Sequence, residues 1–124
     1  MFDIKFYKDK DGNEPITEYI KELDKKAQTS KSERIRLKKI FEYFDVLEQY
    51  GSMAGEPYVK HIEGDIWELR PTNDRLFYFF WENNKYVMLH HFIKKTKKTP
   101  QREIEQAKHN MADMLNRSGE YEDE

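Results

Sequence analysis

The apolar positions change period along the chain, and each change marks an element. Residues 2–7 read Phe-Asp-Ile-Lys-Phe-Tyr, apolar at 2, 4 and 6, the alternation of a half-buried strand. Asp9-Lys10-Asp11-Gly12-Asn13 is turn chemistry. The period then becomes helical. Ile16, Tyr19, Ile20, Leu23 and Ala27 form one stripe, and Pro15 suits a first turn, where its missing N–H leaves nothing unpaired. Gln28–Lys31 interrupts the stripe. Ser30 and Glu33 stand at capping-box spacing and open a second helix. Leu37, Ile40, Phe41, Phe44 and Leu47 form its buried stripe, and Gly51 sits where a C-terminal glycine belongs.

After a loop at Ser52–Pro57 the pattern turns strand-like, with short runs at 58–62, 66–70, 76–81 and 86–94. The links between them are three or four turn-forming residues long, which implies antiparallel hairpins, because parallel neighbours need long crossovers. Thr99 as N-cap and Pro100 as first residue predict a last helix, with Ile104, Ala107, Met111 and Met114/Leu115 on its apolar side. Residues 1–117 read as one α+β domain and 118–124 as a frayed acidic tail. The order is β-α-α-β-β-β-β-α, with the helix pair packed on one face of an antiparallel sheet. The other face stays partly open to a ligand unless the last helix covers it.

Composition narrows the class. Charged residues make up 37% of the 124, well above the roughly 25% of an average soluble domain. Aromatics at 15% point to a folded, aromatic-rich core rather than a disordered chain. With no cysteine there is no disulfide, thiolate metal site or Cys nucleophile. The longest apolar run, Leu76–Trp81, is far below the roughly 20 residues of a membrane helix. Met1–Lys5 has no apolar segment of the secretory kind, so a cytoplasmic protein is expected.

The formal charge of −2 conceals an uneven distribution. Residues 57–112 carry 10 cations and 7 anions, whereas residues 113–124 carry one cation and five anions. Lys94-Lys95-Thr96-Lys97-Lys98 precedes a predicted helix N-terminus, and lysines and helix dipole both favour anions there. Arg70 and Arg75 flank the hairpin Pro71–Asp74, so their guanidinium groups can share one rim of the sheet and grip a phosphate in forked fashion. Their plainer role is a surface ion pair, Arg70 with Glu68 or Arg75 with Asp74. His90 and His91, adjacent on a strand, point to opposite faces, so at most one meets a site. His61, beside Lys60, can exchange a proton with a ribose hydroxyl or a leaving oxygen. Phe77, Tyr78, Phe79, Phe80 and Trp81 alternate across one strand; one set is core, and the other can stack bases. The histidine spacing matches no metal signature, so neither metal nor cofactor is expected.

Val59-Lys60-His61, Trp67-Glu68-Leu69-Arg70, Arg75–Phe80, Leu89–Pro100 and Glu103–Ala107 together resemble the phage-derived HigB-type branch of the RelE/ParE toxin superfamily. So do Pro15–Ile20 and the Leu47–Gly51 helix ending. The resemblance covers about residues 2–115 and rests on Glu-Leu-Arg, then R-x-F-x-F, then F-x-K-K-x-x-K-T-P, in that order. It implies a RelE-like fold, two N-terminal antiparallel helices on a twisted antiparallel sheet. It also implies the toxin of a type II toxin–antitoxin system, a metal-independent endoribonuclease that cleaves mRNA on the ribosome and is held by a helix-turn-helix antitoxin. By the resemblance Arg70 and Arg75 bind the scissile phosphate, and Lys94 or Lys95 contacts it or protonates the leaving group. Glu68, His91 or a lysine is the base. Lys60, His61, Tyr78, Lys97 and Lys98 are the candidate RNA contacts. The tyrosine that several relatives carry in or near the last helix has no counterpart, since Tyr121 in the tail is the only one after Tyr86. The competing reading is a non-catalytic RNA- or protein-binding module of the same fold, or a decayed toxin that retains antitoxin binding.

Overall fold

A computed structural model describing residues 1–121 gives the chain five strands and three helices. In chain order they are β1 (Asp3–Phe6), α1 (Pro15–Ala27), α2 (Lys31–Tyr50), β2 (Val59–Glu63), β3 (Ile66–Leu69), β4 (Asp74–Phe80), β5 (Lys85–Ile93) and α3 (Gln101–Asn116). Short 3-10 turns follow α2 at Gly51–Ala54 and α3 at Ser118–Tyr121. The Ser30 hydroxyl accepts from the Glu33 N–H at 3.4 Å, so the capping spacing does open α2. Among the described residues, no helix is long and apolar enough to cross a membrane.

The strands lie in the order β1-β5-β4-β3-β2. β2 to β5 form an antiparallel meander, but β1 runs parallel to β5, with Asp3 opposite Lys85 and Phe6 opposite Met88. The sheet is therefore mixed, which corrects the expectation of a purely antiparallel one. Short turns force antiparallel neighbours only on strands they join. α1 and α2 carry the chain from β1 to the far edge, so no hairpin constrains the direction of β1.

Both faces of the sheet are covered. On one, Ile16 and Leu23 of α1 and Ile40, Phe44 and Leu47 of α2 pack on Val59, Leu69, Leu76, Tyr78, Tyr86 and Met88. On the other, Ile104, Ala107 and Met114 of α3 pack on Ile66, Phe77, Phe79, Val87, Leu89 and Phe92. An extra residue, Leu89, interrupts the β4–β5 register between the pairs Phe77–His90 and Tyr78–Met88. Leu89 and His90 thus both serve the α3 face, and His91 turns to the helix pair. α3 reaches Ile62 and pairs Lys108 with Glu63 at one end of β2, while Lys60 at the other end is exposed. The ligand-accessible region is therefore the β3–β4 hairpin end of the sheet rather than a whole face.

Two boundaries differ from expectation. α3 starts at Gln101, with Pro100 in the N-cap position and no side-chain cap, so Thr99 does not serve as one. The chain also stays packed beyond residue 117. Tyr121 is buried, donates its hydroxyl to the Lys8 carbonyl at 2.8 Å, accepts from the Lys8 N–H and meets Trp81 edge-on. An aromatic ring with a hydroxyl that finds backbone partners gains more from burial than an acidic stretch loses by being tethered. The remainder of the expected tail, 122–124, lies outside the described residues.

Gly51 ends α2 at φ 63° and ψ −159°, a region that only glycine enters without strain, and its N–H closes on the Leu47 carbonyl. A Cβ there would stand 2.7 Å from the Tyr86 hydroxyl and 2.8 Å from the Phe2 ring. Gly51→Ala therefore combines backbone strain with overpacking and should cost about 2–4 kcal/mol. The check is a lowered urea midpoint at unchanged m-value.

Candidate functional site

The β3–β4 hairpin gathers the charged residues. Arg70 leaves β3 with its N–H donating to the Tyr58 carbonyl at 3.0 Å, which joins the hairpin to the loop before β2. Pro71 accepts from the Asp74 N–H at 3.0 Å, and Thr72 takes a positive φ of 49° to close the turn. Arg75 folds back into this turn, where its Nη1 donates to the carbonyls of Thr72 at 2.6 Å and Asp74 at 3.0 Å. Those two bonds hold the guanidinium of a nearly buried side chain in one orientation.

Glu68 stands between the two arginines at 1% exposure. Its Oε1 is 3.2 Å from Arg70 Nε and 3.7 Å from Arg75 Nε. These are contacts of charge rather than directed hydrogen bonds. Among the described residues, Glu68 Oε2 and both Nε atoms find no hydrogen-bond partner. Lys60 of β2 lies directly opposite Glu68 in the β2–β3 register, and the Lys94 N–H donates to the Asn73 carbonyl in the β3–β4 hairpin. Burial pushes the Glu68 carboxyl up, and the fields of Arg75, Arg70, Lys94 and Lys60 offset this only in part. Burial likewise lowers the basicity of Arg75, with Glu68 opposing. The result is a carboxylate with raised proton affinity inside a cage of four cations.

Beside the arginines a cavity of about 350 Å³ opens to solvent, lined by Lys39, Tyr43, Pro57, Arg70, Thr72 and Arg75. Lys39 and Tyr43 come from α2, one turn apart, and sequence reasoning missed them. Their i, i+4 spacing beside the buried stripe was visible, but the side of α2 that meets the hairpin was not. Arg70 reaches out of the cavity to Glu56 at 3.6 Å.

Asp74, next in sequence to Arg75, anchors a separate network. Asp74 is fully buried and accepts from Tyr19 Oη at 2.7 Å, from Arg36 Nε at 3.2 Å and Nη2 at 2.9 Å, and pairs with His91 Nε2 at 2.8 Å. Arg36 also bonds the Tyr19 hydroxyl and pairs with Glu33 at 2.7 Å. The His91 ring stacks on Tyr19 with centroids 3.7 Å apart. Despite the cost of burial, the bonds from His91, Arg36 and Tyr19 hold the Asp74 carboxyl down at about 2.

These placements correct several expectations. His91 is not beside the arginines; it faces the helix pair, with its Nε2 committed to Asp74. Tyr78 cannot stack on a base, because it is wholly buried in the helix-pair core with its hydroxyl on Ser52 at 2.9 Å. His61 is exposed but on the face opposite Glu68, packed edge-on to Trp67 and bonded through Nε2 to the Gly64 carbonyl at 2.7 Å. Of the plainer ion pairs, Arg70–Glu68 forms, while Arg75 meets only the carbonyl of Asp74. Lys95, Lys97 and Lys98 are exposed in the loop that leads to α3. His90 faces α3 and pairs with Glu103 at 2.7 Å. The structure thus brings Glu68, Arg70, Arg75, Lys60 and Lys94 together.

Residues 18–112 match the model of a family described as phage-derived protein Gp49-like (DUF891), and the chain belongs to that family. The matched span runs from α1 into α3 and contains every residue of the cluster around Glu68. No curated protein matches the chain.

The Asp74 network makes a pH prediction. A carboxyl held at about 2 against an ordinary 3.8 adds stability that is complete above pH 4 and is lost as pH falls through the folded value. The shift corresponds to about 2 kcal/mol. Asp74→Asn should lose roughly that amount at pH 7 and flatten the acid limb of the stability profile between about pH 4 and 2. Urea denaturation across that range reads both effects.

Proposed function

We propose that this Gp49-like protein is the toxin of a type II toxin–antitoxin system, a ribosome-dependent mRNA endoribonuclease of the RelE/HigB kind restrained by a helix-turn-helix antitoxin. The observation that carries this reading is that Arg70 and Arg75, both against the buried Glu68, line a solvent-open cavity, with Lys60 and Lys94 adding positive field. Family membership supports it, as does the α+β frame of a helix pair on one side of the sheet and a C-terminal helix on the other.

In this reading the two guanidinium groups bind the non-bridging oxygens of the scissile phosphate and stabilise the charge that develops on them. Glu68 is the proton acceptor. Of the candidate bases Glu68, His91 and a lysine, Glu68 is the one in contact with both arginines, and burial raises its proton affinity. The ribose 2′-oxygen attacks phosphorus as its proton passes to Glu68. The bond to the 5′-oxygen breaks, and Lys94 protonates the leaving oxygen. The products are a 2′,3′-cyclic phosphate and a 5′-hydroxyl. Lys60 and the exposed Lys95, Lys97 and Lys98 contribute to holding flanking RNA phosphates, a contribution that weakens with salt.

Purified protein added to programmed ribosomes should cut the message and leave those two end groups. Arg70→Ala should slow cleavage roughly a hundredfold while the circular dichroism stays unchanged. Glu68→Gln should slow it as well and abolish the acid limb of the pH–rate profile, which in the wild type lies above the ordinary carboxylate range. Intact transcripts at confirmed protein concentration would overturn the proposal.

A further inference from the structure

We propose that the cavity between α2 and the β3–β4 hairpin is a nucleotide subsite, in which Arg70 and Arg75 hold a phosphate and Tyr43 stacks the attached nucleobase. This deepens the reading above, since it takes the ligand to be RNA, and it names a specificity element on a helix outside the charged cluster.

The cavity has two chemically different ends. Arg70 and Arg75 supply the cationic end, with their Nε atoms turned inward to the buried Glu68. Tyr43 and Pro57 supply an aromatic and aliphatic end, and Lys39 stands beside Tyr43 on the helix. At about 350 Å³ the space is much larger than one inorganic oxyanion needs and lies in the range of small-molecule sites. A group that joins phosphate to a flat ring fills both ends; a bare anion fills one.

Tyr43 is also pre-positioned. It meets Tyr58 edge-on, with centroids 5.0 Å apart and planes at 60°, so its ring orientation is fixed before any ligand arrives. It stands near enough to Arg75 to act on that guanidinium's charge. Arg75 in turn is fixed by the Thr72 and Asp74 carbonyls. Phosphate grip and stacking surface are therefore held at a set spacing, which lowers the ordering cost of binding a base there.

The test compares adenosine 5′-monophosphate with ribose 5-phosphate, which has the same phosphate and sugar but no base, by titration calorimetry on the full chain. The nucleotide should bind about tenfold more tightly, the low end of what base–aromatic stacking supplies. Tyr43→Leu should erase that advantage and leave ribose 5-phosphate binding unchanged, whereas Tyr43→Phe should keep it. Arg70→Ala should weaken both ligands. Saturation transfer between adenine protons and the Tyr43 ring in the wild-type protein provides a reading that needs no variant. Equal affinities in the wild type, an advantage that survives Tyr43→Leu, or no measurable binding of either ligand at millimolar concentration would overturn the subsite. Failure of ribosomal cleavage with the base advantage intact would instead overturn the toxin reading and leave the subsite standing.

Discussion

The constraint on which the site depends is the buried carboxylate of Asp74. It is the first residue of β4, fully enclosed, and three elements aim donors at it: Tyr19 of α1, Arg36 of α2 and His91 of β5. A charge so buried is tolerable only when its partners arrive together, because the removal of one leaves the others paying for an uncompensated ion. Helix pair, meander and hairpin must therefore close at the same point. The next residue is Arg75, whose guanidinium rests on the carbonyls of Thr72 and of Asp74 itself. The Asp74 network thus fixes the backbone from which the neighbouring cationic site is built.

A single extra residue in β5 makes this arrangement possible. Strict alternation from Met88 would send His90 to the helix pair and His91 to α3. Leu89 shifts the phase, so His91 reaches Asp74 while His90 reaches Glu103 in the first turn of α3. That second pair ties α3 to the sheet near its N-terminal end. The bulge is then a device that places two neighbouring histidines in two different ion-pair networks.

Local chemistry was legible and tertiary choice was not. The Ser30 cap, the Gly51 stop and the meander follow from spacing and turn residues, which act within a few positions of themselves. The parallel pairing of β1 with β5 has no local signal, because the partner lies more than eighty residues away. Tyr78 and Phe80 look alike in an alternating aromatic run, yet Tyr78 is sealed in the core and Phe80 is half exposed. Which member of such a run is buried depends on the helix laid over it, not on the run. The arginine pair was legible because the hairpin that joins Arg70 and Arg75 is short. Lys39 and Tyr43 were not, because their proximity to the arginines arises from helix-on-sheet packing over a long stretch of chain.

The acidic balance of the chain yields to the same geometry. A formal charge of −2 describes a potential felt far away, whereas a phosphate in the cavity feels charges within about a Debye length, some 8 Å at physiological salt. The described end of the acidic segment is anchored elsewhere. Tyr121 packs on Trp81, just past the last residue of β4, while Arg75 sits at that strand's beginning. At about 3.3 Å per residue the two points are roughly 20 Å apart, beyond two Debye lengths. Glu120 is in addition neutralised locally by Arg117 at 3.0 Å. The carboxylates acting on the arginines are instead Glu68, Glu56 and Asp74; Asp74 is matched by Arg36, and the other two face Arg70, Arg75, Lys60 and Lys94. Local charge at the hairpin is therefore positive in an acidic protein, and burial of Tyr121 anchors the described part of the acidic segment at the opposite end of the sheet.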